Sequence, residues 1–190
     1  MTEKKNLLTQ PQENGAVCTF DLGNGEFRRE VTVNQKFRSL IVDVDEHRGV
    51  ALGLCPSLMM LPWSYSPFEF DTTNIVSGRE ATAILLEESA KQGVELGAAQ
   101  FCHNYSGFGV EKGMAFLPTR FELARVAAHG KRLEDMLIMI GYNKCDHTFW
   151  SSSIGDGNCV WMRSLAKHAV SSWQGQMRTF GVMPMIEIKL

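Results

Sequence analysis

The stretch FLPTRFEL at residues 116–123 decides the centre of the fold. Thr119 and Glu122 stand three residues apart, directly after Pro118. In such a capping box the threonine oxygen accepts a backbone N–H from the first helical turn, and the glutamate carboxylate accepts the N–H of the cap residue. The stretch therefore predicts a helix that begins after Thr119 and ends at Gly130.

Further helices are predicted on both sides of this stretch. The sequence SGRE at residues 77–80 is a second capping box, and Gly93 is the expected stop of the helix that it opens. Residues 131–140 carry apolar side chains at helical spacing and precede Gly141. The middle of the chain is therefore expected to hold two or three helices.

Outside this region, short apolar runs alternate with turn residues. They predict strands at residues 16–21, 27–33, 40–45, 49–54 and 58–63, and again at 148–152, 158–164, 169–173 and 181–188. The first group is expected to form an antiparallel β-meander. Strands at both ends of a helical middle predict an α+β domain with antiparallel sheets, in which the first and last strands are candidates for pairing.

Composition excludes several classes of protein. The chain has 190 residues, of which 44% are hydrophobic and 21% charged, as in one ordinary globular domain with a core of its own. The net charge is −2, and the basic and acidic side chains are interleaved, so no nucleic-acid partner is expected. Every apolar run is far shorter than the roughly 20 residues of a membrane span, and no membrane insertion is expected.

The sequence predicts no metal site and no cofactor. The five histidines are scattered, without an HExxH motif or a Cys/His cluster at zinc spacing. Asp156 and Asn158 in a glycine-rich turn supply too few oxygens for calcium, which takes about six to eight. Turn chemistry is the preferred interpretation of this segment.

The five cysteines are odd in number and lack C-x-x-C spacing, which is typical of reduced structural thiols. A thiol-dependent enzyme is the alternative, with Cys102, Cys159 and either His103 or His168 as the reactive set. That alternative requires a depressed thiol pKa. We expect no enzyme, because the serines at 151–153 also lack a nucleophile elbow.

Aromatic side chains are concentrated in the C-terminal quarter. Such segments most often build cores and next most often build binding surfaces. Exposed rings beside polar groups would form a stacking platform for a sugar ring or a protein epitope. The candidate ligand-binding residues are Trp150, Asp156, Asn158, Trp161, Arg163, Trp173 and Arg178.

Five motifs, taken in order, resemble one known family. They lie at residues 79–84 with 98–107, at 116–123, 149–153, 158–163 and 181–185. Together they resemble the Lcl C-terminal-type domain of the C-type-lectin-like superfamily, close to the formylglycine-generating-enzyme branch. The resemblance implies a C-type-lectin-like domain at residues 73–190, forming one compact unit with an N-terminal β region at 16–72, after a polar arm at 1–15.

The chain also departs from this family. Met183 stands where the family usually carries arginine, so the role of that arginine is not transferred. The calcium-dependent sugar signatures EPN, QPD and WND are absent, as is a counterpart to the catalytic cysteine pair of the formylglycine branch. Neither calcium-dependent sugar binding nor oxidase activity is implied.

The resemblance implies a non-enzymatic recognition or structural module. With no secretory signal at the N-terminus, the expected setting is the virion of a bacterial virus, and otherwise the cytoplasm. The expected partners are subunits of a larger assembly, a cell-surface receptor or a glycan, and homo-oligomerisation stays open. The alternatives are a secreted or surface adhesin domain and a regulatory domain that encloses a small metabolite in an apolar pocket.

Overall fold

The computed structural model describes residues 18–31, 35–45, 48–139, 148–165 and 171–189. Within these ranges, ten strands form two five-stranded sheets, and four helices pack beside them. The sheets are antiparallel except where β6 and β9 run parallel. The predicted α+β class is confirmed. The predicted polar arm, together with Cys145, His147 and His168, lies outside the described residues.

The elements follow in this order. The N-terminal strands are β1 Thr19–Asp21, β2 Phe27–Arg28, β3 Ser39–Asp45, β4 Val50–Leu54 and β5 Met59–Pro62. The helices are α1 Gly78–Gln92, α2 Gly97–Asn104, α3 Arg120–Ala128 and α4 Gly130–Met139. The C-terminal strands are β6 Thr148–Gly155, β7 Cys159–Ser164, β8 Ser171–Gly175, β9 Thr179–Val182 and β10 Met185–Lys189.

The first sheet has the strand order β10-β4-β3-β1-β2. The predicted meander is wrong in two respects, since β3 pairs with β1 rather than with β2, and β5 belongs to the second sheet. In β3, Leu40, Ile41 and Val42 are fully buried, and so apolar a strand belongs between two neighbours rather than at an edge. The last strand pairs with β4 and not with the first strand, because β3 already occupies the free edge of β1.

The second sheet has the order β5-β9-β6-β7-β8. The single strand predicted at residues 181–188 is divided at Pro184, which has no N–H to donate to a ladder. Its first half is β9 of the second sheet, and its second half is β10 of the first sheet. Each sheet therefore contains strands from both residues 16–72 and residues 73–190.

Local capping explains where two of the helices begin or end. Thr119 and Glu122 form both halves of the predicted capping box at α3. Ser77 is the N-cap of α1, and Gly93 ends that helix in the left-handed conformation at φ 67°. Helix α2 was not predicted, because its N-cap is Leu96, which makes no side-chain cap hydrogen bond. The part of the chain that the structure describes thus has four helices where two or three were expected.

Two large apolar clusters and a smaller third one fill the interior. The first joins the first sheet to α3 and α4, and includes Phe20, Leu40, Leu123 and Leu133. The second joins the second sheet to α1 and α2, and includes Trp63, Leu85, Trp150 and Val160. In the described part of the chain, no helix is long and apolar enough to cross a membrane.

Candidate functional site

The hairpin of β7 and β8 places two tryptophans side by side at the edge of the second sheet. Residues of β7 alternate between half-buried and buried, so Cys159 and Trp161 share the outer face. Trp161 lies opposite Trp173 in the register. Their rings meet edge to face, with centroids 5.2 Å apart and planes at 71°. Trp173 keeps 38% of its surface exposed.

Gly155, at the end of β6, leaves room for the Trp173 ring. A Cβ atom at this position would lie 3.0 Å from Cη2 of Trp173 and 3.1 Å from Oγ1 of Thr73. Thr73 is held in place because its hydroxyl donates to the carbonyl of Ile154 at 3.1 Å. The neighbouring Thr72 donates its backbone N–H to the same carbonyl at 2.9 Å. The ring is therefore supported on a fixed wall.

An open cleft of about 450 Å³ begins at this wall. We call it the Trp173 cleft, and it is lined by Asp71, Thr73, Asn74, Gly155, Cys159 and Trp173. The carboxylate of Asp71 accepts the backbone N–H of Thr73 at 2.7 Å. Hydrogen bonds from Thr73, helped by the charge of Arg120, hold the pKa of Asp71 below its usual range. The cleft therefore combines an indole ring with an ionised carboxylate.

A second open depression of about 410 Å³ lies next to the cleft. We call it the Met177 depression, and it is lined by Pro67, Asn158, Gly175, Gln176, Met177 and Arg178. Met177 is 63% exposed, and Nη1 of Arg178 donates to Oε1 of Gln174 at 2.8 Å. The two hollows share a wall, because Asn158 and Cys159 are consecutive and Gly175 pairs with Cys159.

The fold brings four of the predicted site residues to this surface: Asn158, Trp161, Trp173 and Arg178. Arg163 also lies on β7, but it pairs with Ser171 at the opposite end of the hairpin. Asp156 lies in the single 3-10 turn between β6 and β7, and its side chain is outside the described atoms.

Trp150 is a correction to the predicted site. Its side chain is fully buried in the second apolar cluster. The indole N–H donates to the carbonyl of Leu61 at 3.0 Å, and the ring packs edge to face on Phe180 at 4.7 Å. Because the ring belongs to this cluster, it faces the core and cannot stack on an external ligand.

Sequence reasoning missed the polar side of the surface. Asp71, Thr73 and Asn74 precede α1 and carried no expectation from the sequence. They reach Trp173 only because the chain at Thr72 and Thr73 hydrogen-bonds to the end of β6. The run of short polar residues was a visible signal, but its partner on β8 is about a hundred residues away.

Of the four cysteines that the structure describes, three are buried, namely Cys18, Cys55 and Cys102. Burial raises the pKa of Cys55 to about 12 and raises that of Cys102 well above its usual value. Cys159 is half-buried, with Sγ 3.7 Å from the carbonyl oxygen of Gly157. Among the described residues, no group of three or more His, Cys, Asp and Glu side chains could hold a metal ion.

Comparison with known proteins adds a likeness of fold. No family model and no curated protein matches the chain. A solved structure, a fimbrial protein from Bacteroides ovatus, superposes with a TM-score of 0.66 at 11% sequence identity. The match covers 90% of this chain and 48% of that one, so the chain spans about half the length of the fimbrial protein. At this identity the likeness concerns the fold alone.

Proposed function

We propose that the chain is a non-enzymatic recognition and structural module of a surface assembly. Its recognition face is the Trp161–Trp173 pair with the Trp173 cleft and the Met177 depression beside it. The observation that carries this proposal is the edge-to-face tryptophan pair, in which Trp173 is exposed and lines one of two adjoining open hollows. Large aromatic rings at a surface rimmed by polar groups are typical of recognition sites.

The C-type-lectin-like assignment is part of this proposal. It is supported by the five motifs in order and by the elements that they occupy. Residues 116–123 lead into α3, residues 149–153 lie in β6, and residues 181–185 connect the two sheets. These three motifs therefore sit at places that organise the fold, as expected of residues that define a structural class.

The chemistry of the thiols supports a non-enzymatic role. A nucleophilic cysteine needs a lowered pKa and access to substrate. Cys102 has neither, since it is fully buried and its pKa is raised, although His103 follows it in the chain. Ser151, Ser152 and Ser153 are also fully buried within β6.

For the setting, we favour a surface adhesin or fibre over a virion. The likeness of fold to a fimbrial protein supports this choice. The partner on this proposal is a cell-surface receptor, a glycan or a neighbouring subunit. A nucleic-acid partner is disfavoured, because the net charge is −2 and the basic side chains are interleaved with acidic ones rather than clustered.

Binding of the labelled full-length chain to intact bacterial cells, measured by flow cytometry, tests the proposal. We expect saturable binding that Trp173→Ala weakens about tenfold or more, as truncation of an interface hot spot does. Phe108→Ala is the matched control, because Phe108 is an aromatic residue with a comparable exposure of 45% that lies under Lys36 on another loop. No saturable binding, or an equal loss in both variants, contradicts the proposal.

A further inference from the structure

We infer that the Trp173 cleft binds a neutral saccharide, an inference that rests on the proposed recognition function and names the ligand class of its site. The cleft is lined by an indole ring and by short oxygen- and nitrogen-bearing side chains. This pairing matches a sugar ring, which has a face of C–H groups and a rim of hydroxyl groups.

The indole ring is held ready for stacking. Trp161 contacts the Trp173 ring edge to face, with the ring centroids 5.2 Å apart. The edge of the six-membered ring of Trp173 lies against Gly155, which has no side chain. A ring that is fixed before binding loses little conformational entropy when a ligand packs on it. The 38% of Trp173 that stays exposed is therefore available for the C–H face of a sugar.

The other side chains that line the cleft offer hydrogen-bonding groups. Asp71 supplies a carboxylate, Asn74 an amide with both donor and acceptor atoms, and Thr73 a hydroxyl oxygen. A carboxylate accepts about four hydrogen bonds, so the bonds of Asp71 to Thr73 leave capacity for ligand hydroxyls. A few polar groups that converge on one apolar wall are what fixes the orientation of a small ligand.

Charge selects among saccharides. The carboxylate of Asp71 lines the cleft, whereas Arg120 does not line it and packs on the ring of Phe121 at 4.6 Å. A sugar acid would bring a second negative charge close to Asp71, and like charges repel. The volume of about 450 Å³ falls within the usual range of small-ligand sites, about 300–1,000 Å³.

A peptide epitope is the competing ligand, and the neighbouring surface distinguishes the two. A peptide side chain would use the Met177 depression, where Met177 and Pro67 supply apolar atoms. A saccharide held by Trp173 and Asp71 does not need Met177. Met177→Ala is therefore the matched control for a substitution in the Trp173 cleft.

The test is titration of the folded full-length chain with lactose, cellotriose, maltotriose, mannotriose and chitotriose, and with sialyllactose as the charged counterpart of lactose. Tryptophan fluorescence and the indole N–H signals in NMR spectra report binding. We expect saturation by at least one neutral member, with the Trp173 signal shifted. Trp173→Ala should weaken that binding about tenfold or more, and Met177→Ala should change it less than about twofold. If Trp173→Ala disturbs the hairpin of β7 and β8, Asp71→Asn is the substitute variant. It preserves the side-chain volume and tests whether the carboxylate of Asp71 contributes to saccharide binding.

The outcomes separate this inference from the proposed function. If Trp173→Ala loses cell binding while no neutral saccharide binds, the saccharide inference fails and recognition by this face stands. If neither cells nor saccharides bind, both fail. Equal affinity for sialyllactose and lactose overturns the selection by charge, and an equal loss in Met177→Ala and Trp173→Ala overturns the placement in the cleft.

Discussion

The buried carboxylate of Glu122 accepts the backbone N–H of Gly78, with both oxygens 3.1 Å from the nitrogen. It also accepts the N–H of Thr119 at 2.7 Å. One side chain thus caps the first turns of α1 and α3, where a negative charge is favourable. The contact therefore joins the start of α1, which follows the segment of Asp71 and Thr73, to the start of α3.

Gly78 is predicted to be intolerant of any side chain. A Cβ atom there would lie 2.5 Å from Oε2 of Glu122, 2.7 Å from the carbonyl oxygen of Leu117 and 2.7 Å from Cδ2 of Phe116. Gly78→Ala should lower the free energy of unfolding by about 1–3 kcal/mol, measured by urea denaturation. Gly175→Ala is the control, since nothing lies within 4 Å of that Cβ, and it should stay within about 0.5 kcal/mol. Equal stability of the two variants would contradict the contact.

Glu122 is predicted to make stability depend on pH in a particular direction. Burial raises the pKa of its carboxyl, although the hydrogen bonds from Thr119 and Gly78 oppose the shift. The folded chain therefore holds this proton more tightly than the unfolded chain, where the pKa is about 4.3. The resulting stabilisation is fully present below the unfolded pKa and is lost as pH rises through the folded pKa.

A comparison with Glu122→Gln measures this dependence. The free energy of unfolding of Glu122→Gln should be lower by about 1–3 kcal/mol, because an amide NH2 group replaces a carboxylate oxygen that accepts backbone N–H groups. Urea denaturation across acid to neutral pH should show the advantage of the native chain over the variant shrinking as pH rises. The other titrating groups are common to both chains, so an advantage that grows with pH would refute the direction.

The two classes of tryptophan are predicted to respond differently to substitution by phenylalanine. Trp150→Phe leaves the carbonyl of Leu61 without its indole donor in the core, and should cost about 1–3 kcal/mol of unfolding free energy. Trp173→Phe changes a side chain at the surface and should stay within about 0.5 kcal/mol. Chemical denaturation distinguishes them, and a larger loss in Trp173→Phe would reverse the assignment of core and surface.

The buried thiols are predicted to be unreactive. Cys55 and Cys102 have raised pKa values and no access to solvent, so little thiolate exists at neutral pH. Iodoacetamide labelling at pH 7.5, read site by site by mass spectrometry, should be slow at both in the folded chain and fast in urea. Rapid labelling of Cys102 in the folded chain would restore the thiol-dependent enzyme as a candidate.

Local signals made much of the fold predictable. The start of α3 follows from Thr119 and Glu122, and the end of α1 from Gly93, because caps act within one turn of the helix. Helix α2 was missed because Leu96 carries no cap signal. The strand order was not predictable in the same way, since it depends on which buried strands find neighbours on both sides.

The candidate site was predictable in its aromatic half. Trp161 and Trp173 were named from composition, but their contact depends on the register of β7 and β8. The error at Trp150 has the same cause, because an aromatic count does not say which face of a strand a ring occupies. The position of Asp71 was not predictable from the local sequence, because Asp71 comes near Trp173 only through contacts between distant segments of the chain.

Tryptophan oxidation footprinting of the full-length chain, free and bound to cells, tests the central claim of recognition through the Trp161–Trp173 pair. Mass spectrometry reads the oxidation of each tryptophan. We expect Trp173 to be oxidised readily in the free chain and protected in the bound chain, while Trp63 and Trp150, both fully buried, resist oxidation in both states. Binding that leaves Trp173 as reactive as in the free chain would contradict the claim and place the contact on another face.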